Sequence, residues 1–152
     1  MSGSLEHIHI AESAGGPMRS LDSVEVVAGV GLAGDRYARR EGTWRDDRSS
    51  RDLTLIEAEE IENLAANFGI QLAAGESRRN VTTRGIRLNE LVGKEFWIGE
   101  VLARGTKLCE PCTYLAGLID KPILEPMVHR AGLRADVLSS GRISVGDRIE
   151  VK

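Results

Sequence analysis

The sequence predicts a β-rich, mixed α+β fold, with a barrel-like sheet of many short, mostly antiparallel strands and a few helices. Short apolar or β-prone runs recur between 17 glycines, a pattern that favours strands joined by turns. One segment alone has clear helical periodicity. A chain of 152 residues, 41% hydrophobic and 28% charged, can bury one core. Because no internal repeat or linker interrupts it, we expect a single domain over 1–152.

The N-terminal part predicts two strands and a long loop. Residues 5–11 alternate between apolar side chains and the pair His7 and His9, so both histidines are expected to face water. A second strand is expected over 23–27. The arginine-rich stretch 36–51 contains few aliphatic residues and is expected to form a surface loop.

The centre of the chain predicts a strand over 53–56 that leads into a helix over 57–68. Apolar residues recur there at helical spacing, acidic residues begin the segment, and Gly69 follows as a C-terminal cap. Residues 88–93 are expected to form no more than a short helical turn.

The C-terminal half predicts an antiparallel meander. Three short strands are expected over 96–98, 101–103 and 106–108, separated by Gly99 and Gly105. The remaining expected elements are helices over 114–119 and 123–129, a strand over 133–138 and a closing hairpin over 143–151.

Composition excludes several functional classes. The formal net charge is −3 and aromatic residues make up 4%, so we expect neither a basic nucleic-acid-binding surface nor rows of base-stacking rings. The sequence contains no apolar run long enough to span a membrane, and its first residues do not resemble a signal peptide. We therefore expect no nucleic-acid or membrane partner, and a cytoplasmic location.

Cys109 and Cys112 are the chemical focus of the sequence. Two thiols separated by two residues can share a proton, form a disulfide or bind a soft metal. The helix expected after Cys112 would favour the thiolate of that residue. Three alternatives stay open, namely two small buried core residues, a zinc site that lacks a second ligand pair, and a thiol–disulfide oxidoreductase.

A second candidate site is the segment that contains Arg78, Arg79, Asn80 and Thr82. Adjacent guanidinium groups with amide and hydroxyl side chains can hold a phosphate or carboxylate through charge-assisted hydrogen bonds. The alternative is a solvated turn whose arginines pair with surface carboxylates. In the segment 34–36, an Asp and an Arg could brace a loop through a local ion pair.

Taken in order, seven segments resemble the MOSC domain, the molybdenum cofactor sulfurase C-terminal domain. The resemblance runs from about Val24 to the C-terminus. The segments are 31–37 (GLAGDRY), 53–59 (LTLIEAE), 78–86 (RRNVTTRGI), 91–94 (LVGK), 109–112 (CEPC), 132–135 (GLRA) and 143–147 (ISVGD).

The resemblance implies a barrel-like fold and a protein that binds the molybdenum cofactor or carries sulfur. The family's reactive cysteine, which follows a proline, matches Cys112 and would ligate molybdenum or carry a persulfide, with Cys109 as an accessory or resolving thiol. The family's cofactor-binding loop matches Arg78 and Asn80, which would grip the phosphate and pterin, with Arg79 and Thr82 beside them.

The resemblance also implies what must come from other proteins. The activity would be molybdenum-dependent reduction of N-hydroxylated compounds or sulfur transfer, with a separate electron-transfer protein or cysteine desulfurase as partner. The chain has no room for a desulfurase domain, so no pyridoxal phosphate site is expected within it. The alternatives are a non-catalytic anion-binding module and a CxxC thiol–disulfide oxidoreductase.

Overall fold

Seven strands close into a barrel at the centre of the structure. The computed structural model describes residues 2–13, 15–36, 52–111 and 113–152. The strands are β1 (Ser2–Ile10), β2 (Arg19–Leu21), β3 (Ser23–Val27), β4 (Gly31–Leu32), β5 (Leu53–Glu57), β6 (Val81–Arg84), β7 (Glu95–Ile98), β8 (Val101–Leu108), β9 (Leu133–Val137), β10 (Gly141–Ser144) and β11 (Arg148–Val151). The helices are α1 (Ala58–Phe68), α2 (Thr113–Ile119) and a 3-10 turn over Leu88–Leu91.

The barrel strands run in the order β11-β7-β8-β9-β5-β6-β1, and pairing of β1 with β11 closes the ring. Strand β5 pairs parallel with β6, and the other pairings of the ring are antiparallel. Strand β2 extends the sheet beside β1, and β10, β3 and β4 form a separate small sheet. This architecture confirms the predicted β-rich, barrel-like α+β fold.

The main core fills the barrel, and a second apolar cluster lies outside β5. Every residue of β5 is buried, because Leu53 and Leu55 belong to the barrel core while Ile56 packs with Leu64 of α1 in the second cluster. Strands buried on both faces are rich in apolar residues, and three of the five residues of β5 are apolar. β5 is therefore the wall shared by the two cores.

The predicted helix over 57–68 is confirmed as α1. Glu59 and Glu60 lie in its first turn, where negative charge interacts favourably with the helix dipole. Gly69 ends it in the left-handed conformation at φ 67°, and its N–H donates to the Leu64 carbonyl.

Three predictions for the C-terminal half are wrong. Gly105 does not separate two strands, because β8 runs through it with a bulge between Gly105 and Lys107. A Cβ at Gly105 would lie 2.2 Å from the Leu91 carbonyl oxygen, so glycine there permits close backbone contact rather than a turn. The segment 123–129 forms successive turns instead of a helix.

The segment 143–151 does not form a hairpin. β10 pairs with β3, whereas β11 pairs with β1 and β7, so the turn between them connects two sheets. Within the described residues, no helix is long and apolar enough to cross a membrane.

Candidate functional site

A cavity of about 750 Å³ lies between the loop after β1, the loop before β6 and the end of α2. Its walls combine glycine, small apolar and charged residues. The lining residues are Gly15, Gly16, Pro17, Met18, Ala73, Ala74, Gly75, Glu76, Arg78, Leu118, Ile119 and Lys121. The cavity therefore has apolar walls with a few charged groups among them.

Among the residues that the structure describes, the charged side chains of this cavity are Glu76, Arg78 and Lys121. Lys121 Nζ lies 2.6 Å from Glu76 Oε1. Burial opposes ionisation of Glu76, but the hydrogen bonds from Lys121 and from the Ala73 amide lower its pKa below the ordinary value. Glu76 is thus ionised at neutral pH. With two cations against one carboxylate, the described part of the lining carries one net positive charge, which favours an anionic ligand.

Arg78 is the predicted site residue that the structure places in the cavity wall. Its backbone is in the left-handed region at φ 61°, which is uncommon for a residue with a Cβ. Its N–H donates to the Gly75 carbonyl at 3.0 Å, and Nη1 donates to the Gly16 carbonyl at 2.6 Å. The first bond closes a turn within the loop before β6, and the second joins this loop to the loop after β1.

The Asn80 side chain forms hydrogen bonds within the protein, to residues of two different strands. Its Oδ1 accepts hydrogen bonds from the Thr54 amide and hydroxyl, each at 3.2 Å, and its Nδ2 donates to the His9 carbonyl at 3.1 Å. Thr54 belongs to β5 and His9 to β1, the two neighbours of β6. The fully buried Asn80 side chain therefore connects the start of β6 to both neighbouring strands through hydrogen bonds.

Arg79 and Thr82 lie away from the main cavity wall. Arg79 Nε donates to the Ala131 carbonyl at 2.8 Å. Thr82 is buried and lines a neighbouring cavity of about 190 Å³, which shares Ala73, Ala74 and Gly75 with the larger one. Of the four predicted residues of this segment, the structure brings Arg78 to the main cavity.

The two predicted thiols differ in what the structure describes. Cys109 is buried, 2% exposed, and its amide donates to the Gly132 carbonyl at 2.8 Å. Cys112 lies outside the described residues, and in the sequence it directly precedes α2, whose far end lines the cavity. In the part of the chain that the structure describes, no three His, Cys, Asp or Glu side chains group as a metal site.

Sequence reasoning missed Lys121 and the Gly15–Met18 loop as cavity residues. Lys121 and Glu76 are 45 residues apart in the chain, and no motif connects them. The fold alone brings them into contact, so no local sequence signal could have identified the pair.

A second cavity, also of about 750 Å³, opens at the start of α1. Its charged lining includes Glu57, Glu59, Glu60, Arg87 and Arg130, so carboxylates outnumber guanidinium groups. Burial raises the pKa of Glu57 above its ordinary value, although the Leu88 amide donates to its carboxylate at 3.0 Å. None of the predicted site residues that the structure describes lines this cavity, whose acidic character does not suit an anion.

The expectation that both histidines of β1 face water is correct for His7 and wrong for His9. His9 is 3% exposed because the loop before β6 covers it. A Cβ at Gly75 would lie 2.7 Å from His9 Cδ2, so glycine allows the loop to lie directly on the imidazole. Within the described residues, His9 Nδ1 is buried without a hydrogen-bond partner.

Burial of His9 predicts a loss of stability in mild acid. Burial, and secondly the nearby His7, lower the pKa of His9 below its ordinary value, so the folded protein favours the neutral ring. This stabilisation is present above the unfolded pKa of about 6.5 and is lost as the pH falls through the folded pKa. In urea titrations from pH 8 to pH 5, the wild type should therefore lose more stability than His9→Gln.

The control is His7→Gln, which removes the smaller cause and should keep most of the wild-type loss. A His9→Gln profile parallel to that of the wild type would contradict the burial argument.

Solved structures show the same fold. The YuaD protein of Bacillus subtilis aligns over 99% of this chain and 96% of its own, with a TM-score of 0.83 at 19% identity. YiiM of Escherichia coli aligns over 100% of this chain and 70% of its own, with a TM-score of 0.74 at 20% identity. YiiM of Geobacillus stearothermophilus aligns over 99% and 75%, with a TM-score of 0.72 at 16% identity.

A search of curated proteins finds no match. The family model of the MOSC domain matches residues 28–150, which is most of the chain and includes both thiols, Arg78 and the whole barrel apart from β1 and the last residue of β11. By sequence and by fold, this chain belongs to the MOSC domain family.

Proposed function

We propose that this protein binds the molybdenum cofactor, with the Cys112 thiolate as the protein ligand of molybdenum and Arg78 as a contact for the anionic phosphate of the pterin. The observation that carries the proposal is the position of Arg78. The left-handed turn places this residue in the wall of a cavity whose described lining is net positive, and α2, which follows Cys112 in the sequence, contributes another wall.

The donor set of the cavity suits the organic part of such a ligand. Arg78 carries a guanidinium, whose N–H groups can donate charge-assisted hydrogen bonds to a phosphate, and Lys121 supplies a second positive charge. Pro17, Leu118 and Ile119 offer apolar surface for a flat ring. A soft thiolate suits molybdenum, and Cys112, which follows a proline in the family's pattern, is the thiol we assign to it.

When bound, the cofactor would supply the redox chemistry of the metal, while this chain would bind and orient it. Arg78 would hold the phosphate, and the ion pair of Lys121 with Glu76 would fix the end of α2 against the loop before β6. Cys109, buried at the end of β8, would support the segment rather than touch the ligand. Asn80 would stabilise the fold rather than contact the ligand, because both polar atoms of its side chain form hydrogen bonds within the protein.

The test is the molybdenum and pterin content of protein purified from a host that makes the cofactor. We expect near-stoichiometric molybdenum in the wild type and almost none in Cys112→Ser, because a hydroxyl is a far weaker ligand than a thiolate for this metal. Arg78→Met should lose pterin and molybdenum together, since it removes the phosphate contact.

The matched control is Cys109→Ser, which removes the other thiol and should retain most of the molybdenum. A wild type without molybdenum, prepared beside a molybdoprotein that is loaded in the same cells, would overturn cofactor binding. A persulfide found on Cys112 by mass spectrometry would then favour the sulfur-carrier function instead. Equal molybdenum in Cys112→Ser and the wild type would overturn the ligand assignment.

A further inference from the structure

A buried ion pair lies directly behind the cavity wall. Asp35 and Arg36 follow β4, and their side chains are 0% and 6% exposed. Arg36 Nη1 lies 3.2 Å from Asp35 Oδ1. A charged pair is costly to remove from water, and it persists where its hydrogen bonds compensate for the lost solvation.

The pair is tied to the end of β1. Asp35 Oδ1 accepts a hydrogen bond from the Ala11 amide at 3.0 Å, and the Arg36 amide donates to the Ala11 carbonyl at 2.6 Å. The Arg36 guanidinium therefore projects from a base that is fixed to the barrel.

From this base, Arg36 reaches two residues of the cavity wall. Its Nη2 donates to the carbonyl oxygen of Arg78 at 3.1 Å, and its Nη1 lies 3.8 Å from Met18 Sδ. Arg78 and Met18 line the cavity, whereas Arg36 does not. Arg36 thus contacts these wall residues from the side that faces away from the cavity.

The backbone of Arg78, the residue that Arg36 holds, is in a disfavoured conformation. For a residue with a Cβ, the left-handed conformation is disfavoured by roughly five- to thirty-fold relative to the right-handed one. Arg78 adopts it at φ 61°, and the hydrogen bond from the fixed Arg36 guanidinium to its carbonyl is a contact that can hold such a conformation in place.

We propose that Asp35 and Arg36 are positioning residues, which hold Arg78 in the left-handed conformation and thereby present its guanidinium to an anion in the cavity. The role of the anion rests on the proposed function, while the control of the Arg78 backbone does not. The fork geometry of arginine is needed because one side chain must serve Asp35 and the Arg78 carbonyl at once.

The test is an NMR titration of the full chain with inorganic phosphate, in the wild type and in Arg36→Lys. Lysine keeps the charge opposite Asp35 but cannot hold both acceptors with a planar fork. We expect the chemical shifts and the HN–Hα coupling of Arg78 to move away from left-handed values. The phosphate affinity should fall about tenfold, because the fraction of molecules in which Arg78 is left-handed, and therefore able to bind phosphate, falls by that factor.

The control is Arg19→Lys, which makes the same change at an exposed ion pair with Glu12 and should alter neither readout. A purely structural role would lower the thermal midpoint of Arg36→Lys but leave the Arg78 conformation and the phosphate affinity unchanged well below that midpoint. That result would overturn the positioning role.

Two further outcomes separate this inference from the proposed function. If the wild type does not bind phosphate, the proposed anion site fails, and the Arg78 shifts in Arg36→Lys still decide the positioning role. If Arg36→Lys does not fold, Asp35→Asn replaces it, because the amide keeps an oxygen for Ala11 while removing the charge that orients Arg36. Left-handed shifts retained at Arg78 in Asp35→Asn would then overturn the inference.

Discussion

Replacement of Asn80 by alanine is expected to cost about 3 to 5 kcal/mol of the free energy of unfolding. The Asn80 side chain is fully buried and makes hydrogen bonds to both Thr54 and His9. Alanine would leave the Thr54 amide and the His9 carbonyl without these bonds inside the protein, and each such group costs about 1 to 3 kcal/mol. A small cavity adds to the loss.

The size of this effect follows from the position of Asn80 in the barrel. It stands where β6 begins, between its parallel neighbour β5 and its antiparallel neighbour β1. A loss of 3 to 5 kcal/mol is a large part of the roughly 5 to 15 kcal/mol that stabilises a domain. Urea unfolding followed by circular dichroism would measure it.

The control for Asn80 is Asn89→Ala. Asn89 also donates from its amide to a backbone carbonyl, that of His129 at 2.8 Å, but at an exposed position. Water can replace that bond, so we expect a loss below about 1 kcal/mol. If Asn80→Ala were as stable as Asn89→Ala but no longer bound phosphate, Asn80 would be a ligand contact rather than a structural link between strands.

Replacement of Gly132 by alanine is expected to destabilise the protein by about 4 kcal/mol or more. A Cβ at Gly132 would lie 1.9 Å from the Leu55 carbonyl oxygen, and φ is 109°. The atom in the way belongs to the backbone of β5, so no side-chain rotation can relieve the clash. Strands β5 and β9 would have to separate where Leu55 pairs with Leu133.

The same substitution would disturb the surroundings of the site. The Gly132 carbonyl accepts from the Cys109 amide, and the carbonyl of its neighbour Ala131 accepts from Arg79 Nε. A shift of Gly132 would therefore move the segment that leads to Cys112 and the segment that carries Arg78. In the molybdenum assay, we expect Gly132→Ala to lose molybdenum along with stability.

Gly146→Ala separates steric clash from backbone conformation. Gly146 has a similar φ of 96°, but a Cβ there would meet nothing within 4 Å. We expect a loss of about 1 to 2 kcal/mol from the backbone preference alone. Equal denaturant midpoints for Gly132→Ala and Gly146→Ala would show that the close approach of β9 to β5 does not limit stability.

Local sequence signals predicted the elements that depend on local interactions. The helix α1 begins one residue after the predicted start and ends as predicted, because its apolar spacing, its acidic first turn and Gly69 all act within the segment. Gly105 shows the opposite case. A glycine between two apolar runs is typical of a turn, but here the requirement for glycine comes from the carbonyl of Leu91, which only the fold places beside it.

At the candidate site, too, the sequence predicted the residue types, while the fold determined what each residue contacts. The sequence predicted an anion-binding role for four neighbouring polar residues, and their chemistry alone does not distinguish a residue that contacts a ligand from one that forms hydrogen bonds within the protein. The structure places Arg78 in the cavity wall, directs Arg79 to Ala131 and buries Asn80 between strands. Alternation in β1 likewise predicted an exposed His9, because a period of two residues cannot reveal a loop that covers the outer face.

By itself, the sequence determined the β-rich fold class, the family and the residue types of the site, because these follow from composition, local periodicity and the order of short motifs. The tertiary structure decided which of those residues meet. The cavity forms from segments distant in the chain, and the left-handed turn at Arg78 is held by Arg36 from another segment. Such contacts depend on how the barrel closes, and ring closure by β1 and β11 joins the two ends of the sequence.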